Sequence, residues 1–439
     1  MSKPLMRIPY TGPLPPPLII PPSAATKRGA IGALAHFLTS PTPSSPPHHS
    51  HSSALAQDDS STDSSSETNI PKSQNKTVLL TGAGISVASG LADYRGENGT
   101  YTQNKSYRPI YYHEFVASHE ARKRYWARSF LGWRGLHRSK PNAAHFAIRD
   151  LGRLGLVGSV ITQNVDSFHP LAHPGLHCVE LHGFLRNLIC LSCKKPMDRD
   201  AFQTRLAELN PAWASFLTEL LQSGALDTDN PIERRRRGFR TNPDGDADVP
   251  GAPYTTFRYP ACPSCLKRPP ILSDGSKGHV NVDSDGAWIP TAPTKSMSAA
   301  SDAVGVLKPN VIMFGESIPA SVKALAEAAI DSASKILVVG SSLATYSAWR
   351  LVKRAHEQGM GIGVLNLGGV RKEEVFFGDY THPTHSHSHA TEGTASVNGG
   401  GDFHDSWMTL RRALVRASLP AEEILPSVVD VIRSQSSSS

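Results

Sequence analysis

The stretch TGAGISVASGLADYR, Thr81 to Arg95, decides how the rest of the chain is read. It follows the apolar run Val78-Leu79-Leu80, and Gly82, Gly84 and Gly90 come in quick succession. That order is the pattern of a strand opening through a phosphate-cradling loop into a helix. Gly82 and Gly84 let the backbone approach a pyrophosphate, whose charge then faces the positive end of the following helix. The dinucleotide fingerprint G-x-G-x-x-G would put its third glycine at position 87, where the chain has Val87, and there is no P-loop Gly-Lys-Ser/Thr. An ordinary hydride-transferring dehydrogenase and an NTPase are both disfavoured. The stretch points to a nucleotide without naming the reaction.

Outward from it, LVGSVITQN from Leu156, KILVVGSSL from Lys335 and GIGVLNLGG from Gly361 repeat the theme of an apolar strand ending in polar or glycine residues. Between them, Val322, Leu325, Ala326, Ala329 and Ile330 recur on one helical face. Continuous Val, Ile and Leu strands separated by such helices predict an α/β fold, a Rossmann-like parallel sheet with helices on both faces. Ligands bind such sheets at the carboxyl ends of the strands, where TGAG, TQNVD, GSS and NLG all fall.

The 439 residues, 39% hydrophobic, can bury a sizeable core, and every apolar run is interrupted before the roughly 18 to 20 residues of a bilayer span. The net charge of +7 allows an acidic partner. The clearest basic run, Arg234 to Arg237, lies in a polar Pro/Gly/Asp-rich stretch, which favours a solvated loop over direct nucleic-acid contact or nuclear import. Residues 1–57 contain no Asp or Glu but carry Lys3, Arg7, Lys27 and Arg28, many Ser and Pro, and the amphipathic patch KRGAIGALAHFL. That composition is the signature of a mitochondrial transit peptide. The expectation is a disordered presequence and linker over 1–70, with folded sequence from about Lys76. A sheet domain then spans 71–189 and 306–430, with a surface insertion over 271–305 and a His/Gly-rich loop over 379–402.

Cys190-x-x-Cys193 and Cys262-x-x-Cys265 are each capable of giving two thiolates to a tetrahedral Zn2+, which predicts a small closed, structural zinc-binding module over 190–270 with a long insertion. The 68 intervening residues are tolerable. Each doubling of a loop costs only about 0.6 kcal/mol, against roughly 10 to 16 kcal/mol of apparent zinc affinity. Cys178, the odd one, is expected in a buried strand. His182, in ELHG, stands near TQNVDSFH, company that makes it a candidate base.

In order along the chain, GAGISVASGLADYR, TQNVD, ELHG, the two CxxC pairs, LKPNVIMFGE, VVGSSL and LNLG resemble the sirtuin family over about Lys76 to Gly369. RYWARSFLGW and KPNAAHFAI are most similar to its class II, sirtuin-four-like mitochondrial branch. The resemblance implies NAD-dependent removal of an acyl group from the lysine of a protein substrate, with ADP-ribosyl transfer as a variant in this branch. NAD is consumed as a co-substrate, so the missing third glycine loses its significance. Carried over by position, Gly82, Ala83, Gly84, Ile85, Ser86, Asp93, Tyr94 and Arg95 would line the NAD loop, with Tyr101 closing over it. Gln163, Asn164 and Val165 would hold the ribose side and Asp166 the nicotinamide carboxamide. Gly340, Ser341, Ser342, Asn366, Leu367 and Gly368 would take the adenosine end. His182 would be the base, and Val311 to Glu316 would pair with the substrate peptide.

GLADYRG stands where GIPDFRS is commoner, and Ala92 and Gly96 predict a looser loop. Asn104, three residues after Tyr101, replaces the Arg with which the desuccinylating branch grips a carboxylate, which predicts uncharged acyl groups unless Lys105 or Arg108 substitutes. The expected compartment is the mitochondrial matrix. The rivals are a nuclear histone deacetylase of the same family, with Arg234 to Arg237 as import signal, and a non-catalytic scaffold, which the presence of His182 argues against.

Overall fold

The computed structural model describes residues 14–41, 76–104, 107–222, 240–249, 251–272, 275–290, 303–381 and 413–437. Its centre is a six-stranded parallel sheet built from β1 (Thr77–Thr81), β2 (Val157–Thr162), β3 (His177–Glu180), β9 (Lys335–Val339), β10 (Gly361–Leu365) and β11 (Leu414–Ala417), in the spatial order β11-β10-β9-β1-β2-β3. Every residue of β1, β9 and β10 is buried, as strands covered on both faces require. The chain runs outward from β1 to β3 in one direction and from β9 to β11 in the other, so the order reverses between β1 and β9. That reversal opens a crevice at the strands' carboxyl ends.

Helices Lys27–Thr39, Ala143–Arg153 and Ala421–Ser437 cover one face, packing Leu34, Phe37, Ile148, Leu151, Ile424 and Val428 onto Leu79, Val160 and Leu337. Helices Ala320–Asp331 and Tyr346–Glu357 cover the other, with Ala326, Ile330, Leu351 and Val352 against Val78, Leu80 and Ile336. Asn142 caps Ala143–Arg153 by accepting the Ala144 N–H at 3.0 Å.

A second unit holds a sheet of β4 (Gly183–Cys190), β5 (Pro196–Asp198) and β8 (Leu307–Val311), a hairpin of β6 (Arg240–Thr241) and β7 (Ala247–Asp248), and helices Arg199–Leu209 and Pro211–Gln222. Its core also takes in helix His119–Arg138 through Trp126, Phe130 and Leu131, so part of the stretch assigned to the sheet domain belongs to the cysteine-bearing unit instead. The 271–305 stretch is likewise more than a surface insertion. Val280, Trp288, Ala303 and Val304 are buried in the same core, and the Trp288 indole donates to the Val304 carbonyl at 2.9 Å.

The largest correction concerns the N-terminus. KRGAIGALAHFL is not disordered: Lys27–Thr39 is a helix, capped by Thr26, that buries Ala30, Leu34, Ala35, Phe37 and Leu38. Each large side chain so buried is worth about 1.5 to 3 kcal/mol. At the other end of the helix the Lys335 ammonium donates to the carbonyls of Phe37 at 2.8 Å and Leu38 at 3.1 Å, supplying the positive charge a helix C-terminus favours. Upstream, Ile20 exchanges two backbone hydrogen bonds with Arg416 of edge strand β11. The amphipathic pattern was legible, but not that its apolar side belongs to this core. Arg234 to Arg237, Lys105 and residues 382–402 of the His/Gly-rich loop lie outside the described residues.

Candidate active site

The crevice between β1 and β9 opens into a cleft of about 610 Å³ shared by the two units. Gly82, Ala83, Gly84 and Ser86 line it from the loop after β1, with Asp93, Tyr94 and Arg95 beyond. Gln163, Asn164, Val165 and Asp166 enter after β2 and His182 after β3. Gly340, Ser341 and Ser342 come after β9, and Asn366, Leu367 and Gly368 after β10. Val311, Ile312, Met313, Phe314 and Glu316 form the wall contributed by the cysteine-bearing unit.

Two predicted contacts are placed elsewhere. Ile85 packs into the core beneath the sheet, so only its backbone faces the loop. Tyr101 is buried behind Tyr94, ring centroids 5.5 Å apart, with the Arg95 guanidinium 5.1 Å from its own ring centre. It supports the segment from behind and does not line the cleft.

The glycines fit a dinucleotide cradle. A Cβ on Gly84 would lie 2.8 Å from the Gly340 carbonyl oxygen, and one on Gly340, whose φ is +60°, would lie 2.3 Å from the Ile85 nitrogen. The two loops meet backbone to backbone, leaving main-chain polar groups as the floor for a pyrophosphate. Gly96 sits in a tight turn: its N–H donates to the Asp93 carboxylate at 3.1 Å, and a Cβ there would lie 2.2 Å from an Asp93 carboxylate oxygen, so the turn as built calls for glycine. Asp166 accepts from the Ser86 hydroxyl at 2.7 Å and the Phe168 N–H at 2.9 Å, while Asn164 donates to Ser86 at 3.1 Å. Burial pushes the Asp166 carboxyl up, and these donors work against that rise. Gln163 ties loops together, donating to Ser341 Oγ at 2.7 Å and accepting from Thr345 Oγ1 at 3.0 Å.

His182 Nδ1 is 3.1 Å from the Gln163 carbonyl and Nε2 is 2.9 Å from Ser347 Oγ. Burial lowers its pKa to about 4, so the ring is neutral at pH 7. A neutral imidazole with one nitrogen bound to a carbonyl is a base with its other lone pair aimed at the cleft.

Several contributors escaped the sequence reading. Asp244 and Asp246, on the turn between β6 and β7, line the cleft. Asp244 accepts a short hydrogen bond from the Tyr94 hydroxyl, and burial next to Asp246 raises its pKa to about 6. Asp246 pairs with Arg128 at 2.6 Å. Buried Arg416 pairs with Glu373 and donates to the carbonyls of Asn366 at 3.0 Å and Gly368 at 2.6 Å, which fixes the loop after β10. Leu14 lines the cleft there as well, and Pro15 sits against Gly369. NPDGD, at 242–246, was the one available signal for the turn.

Away from the cleft, Cys190, Cys193, Cys262 and Cys265 have their sulfurs within 4.8 Å of one another, with Cys190 to Cys265 at 3.5 Å and Cys193 to Cys262 at 3.7 Å. Tetrahedral Zn–S bonds of about 2.3 Å imply sulfur–sulfur edges of about 3.8 Å, so the donor set fits Zn2+. All four thiols are free of disulfides. No further ligand is needed, which makes the site structural. Cys178 lies on β3 and burial pushes its thiol up to about 12, so it is no nucleophile at neutral pH.

Residues 82–347 match the family model described as the Sir2 family. The NAD-dependent protein deacylase SIR4 of Batrachochytrium dendrobatidis is 39% identical over 304 residues, covering 68% of this chain and 83% of the relative. NAD-dependent protein deacylase SRT2 of Arabidopsis thaliana is 34% identical over 302 residues, 69% of this chain and 68% of its own length. The SIR4 deacylase of Monosiga brevicollis is 37% identical over 298 residues, 68% of this chain and 77% of the relative. With the parallel sheet, the glycine cradle, the buried histidine and the four-cysteine site in the family's order, the chain belongs to the Sir2 family, the sirtuins.

Proposed function

We propose that this sirtuin removes acyl groups from protein lysines, transferring them to ADP-ribose with release of nicotinamide. The observation that carries the reading is His182, neutral and buried, with Nδ1 committed to the Gln163 carbonyl and Nε2 facing a cleft floored by Gly82, Gly84 and Gly340. NAD supplies the ribose carbon to which the acyl oxygen is transferred. The chain's residues do the rest. The glycine floor seats the pyrophosphate, Asp166 accepts from the carboxamide, and His182 Nε2 takes the proton of a ribose hydroxyl that becomes a nucleophile. The edge at Val311 to Phe314 receives the substrate backbone as an added strand.

Uncharged acyl groups suit this cleft best. Arg128 is already paired with Asp246, Arg108 with Glu114 at 2.6 Å, and Asp244 adds a carboxyl group beside Tyr94. An acidic acyl chain would meet acids whose nearby guanidinium partners are committed. For location we favour the mitochondrial matrix, on the acid-poor, Ser-rich N-terminus. The core role of helix Lys27–Thr39 requires any processing to fall upstream of it.

One assay tests the activity and the acyl preference. Acetyl-, lipoyl- and succinyl-lysine peptides compete with NAD present, and acyl-ADP-ribose products are identified by mass. Uncharged acyl products should dominate, and H182A should lose at least a hundredfold in rate. Equal nicotinamide release by wild type and H182A would refute the mechanism, and a dominant succinyl product would refute the acyl preference.

A further inference from the structure

His182 is gripped on both ring nitrogens, from two different parts of the fold. The Gln163 carbonyl, 3.1 Å from Nδ1, can only accept, so the hydrogen-bond network assigns the proton to Nδ1 and the lone pair to Nε2. Ser347 Oγ, 2.9 Å from Nε2, must then be the donor. Ser347 lies in the first turn of helix Tyr346–Glu357, on the crossover from β9 to β10, far from His182 in sequence.

That hydroxyl is not used where a serine in a first helical turn usually is. The N-cap of this helix is Thr345, which makes no capping bond through its side chain and donates to Gln163 Oε1 at 3.0 Å instead. The same turn therefore holds the Gln163 side chain through Thr345 and the His182 ring through Ser347, while the Gln163 carbonyl holds the ring's other nitrogen. The four groups form a closed set that leaves the imidazole one orientation and one tautomer. Ser347 also lines the cleft, so the contact lies on the substrate side of the ring.

We propose that Ser347 is a positioning residue for the base, its hydroxyl donating to His182 Nε2 while the cleft is empty and yielding that lone pair to a ribose hydroxyl when NAD binds. The proposal rests on the reading of His182 as the base. Two consequences follow. The ring is aligned before NAD arrives, so no rotamer search precedes proton transfer. A donor on Nε2 also stabilises the neutral imidazole, working with burial and with the positive end of the helix to keep the base unprotonated.

The test compares wild type, S347A, S347T and H182A by kcat and KM for NAD, by the pH profile of kcat/KM, and by thermal melting. S347A should melt like wild type, lose about 3- to 10-fold in kcat/KM at neutral pH as expected for one hydrogen bond, and move its acid limb upward. The profile would move because kcat/KM reports the free enzyme, the state in which Ser347 holds Nε2. S347T, which keeps the hydroxyl, should restore both. A wild-type rate and an unshifted acid limb in S347A, or S347T as impaired as S347A, would overturn the role of Ser347. Wild-type turnover by H182A would remove the base and the proposal together, whereas a silent S347A beside an inactive H182A removes Ser347 alone.

Discussion

The six-stranded sheet and the cysteine-bearing unit form opposite walls of one cleft but are held together differently. In the sheet, β1, β9 and β10 are buried along their whole length, and helices seal both faces with aliphatic side chains. The other unit gathers helix His119–Arg138, the β4–β5–β8 sheet and the 275–290 segment around aromatic rings, three buried arginines and four thiols. Arg199 lies 4.5 Å from the Trp133 ring centre, and Arg122 lies 4.6 Å from that of Trp288 while donating to Tyr259 at 2.8 Å. The sheet unit gives the cleft its floor, and the cysteine-bearing unit gives it a wall assembled from segments that no local contact would bring together. A layered apolar core distributes its stability, whereas a unit of scattered segments concentrates it in a few fastenings.

The sharpest way to break this contrast is Cys190→Ala. Removing one of four thiolates forfeits most of an affinity of roughly 10 to 16 kcal/mol, so the variant should carry no zinc and its smaller unit should become protease-sensitive while the sheet stays folded. Zinc content and limited proteolysis decide it, and simultaneous loss of both units would show that the two are one cooperative block. Next in size is Trp288→Ala. The ring is 4% exposed, stacks on Tyr259 with centroids 5.9 Å apart, and sits in a stretch the sequence presented as a surface insertion. A loss of about 3 to 5 kcal/mol is expected, measured by urea denaturation; a loss below about 1 kcal/mol would return the segment to the surface.

The remaining contrast is acid sensitivity. In the sheet unit, burial lowers the pKa values of His145, His169 and His173, and His145 lies at about 3. Unfolded histidines titrate near 6.5, so below that pH the unfolded chain takes up protons that the folded chain refuses. Stability is therefore lost as pH falls from 6.5 toward 3, by up to about 1.4 kcal/mol per pH unit for each such histidine. The other unit has His119, lowered to about 4. Hydrogen exchange at pH 5 and pH 7 should show β1 and helix Ala143–Arg153 losing more protection than β4 and β8; equal losses would erase the difference.

Much of the cleft was legible because its signals are local. Glycines at 82 and 84, polar ends on apolar strands and paired CxxC motifs each state their chemistry within a few residues. Strand β3 was legible only through Cys178, and β11 was not recognised, both being short and at the sheet's edges. The N-terminal helix was expected to be disordered because the stretch around it is acid-poor and rich in Ser and Pro, and only Leu337, Val415 and Ile424 around it show what its apolar face is for. Ser347 and Arg416 gave no signal and Asp244 only that of its turn, since each is a common residue whose role consists of a distant partner: His182, the Asn366–Gly368 loop and Tyr94.

By itself the sequence determined the strand-loop-helix order, the glycine cradle and the metal donor set, because period, glycine placement and ligand spacing are properties of neighbours along the chain. Tertiary structure alone decided that the N-terminal helix completes the core and that Ile85 and Tyr101 stand behind the site. It also decided that a remote turn brings carboxyl groups to Tyr94 and that a serine on another crossover meets the His182 ring. Those outcomes depend on which distant surfaces meet, and burial and hydrogen-bond satisfaction settle that only once the chain is folded.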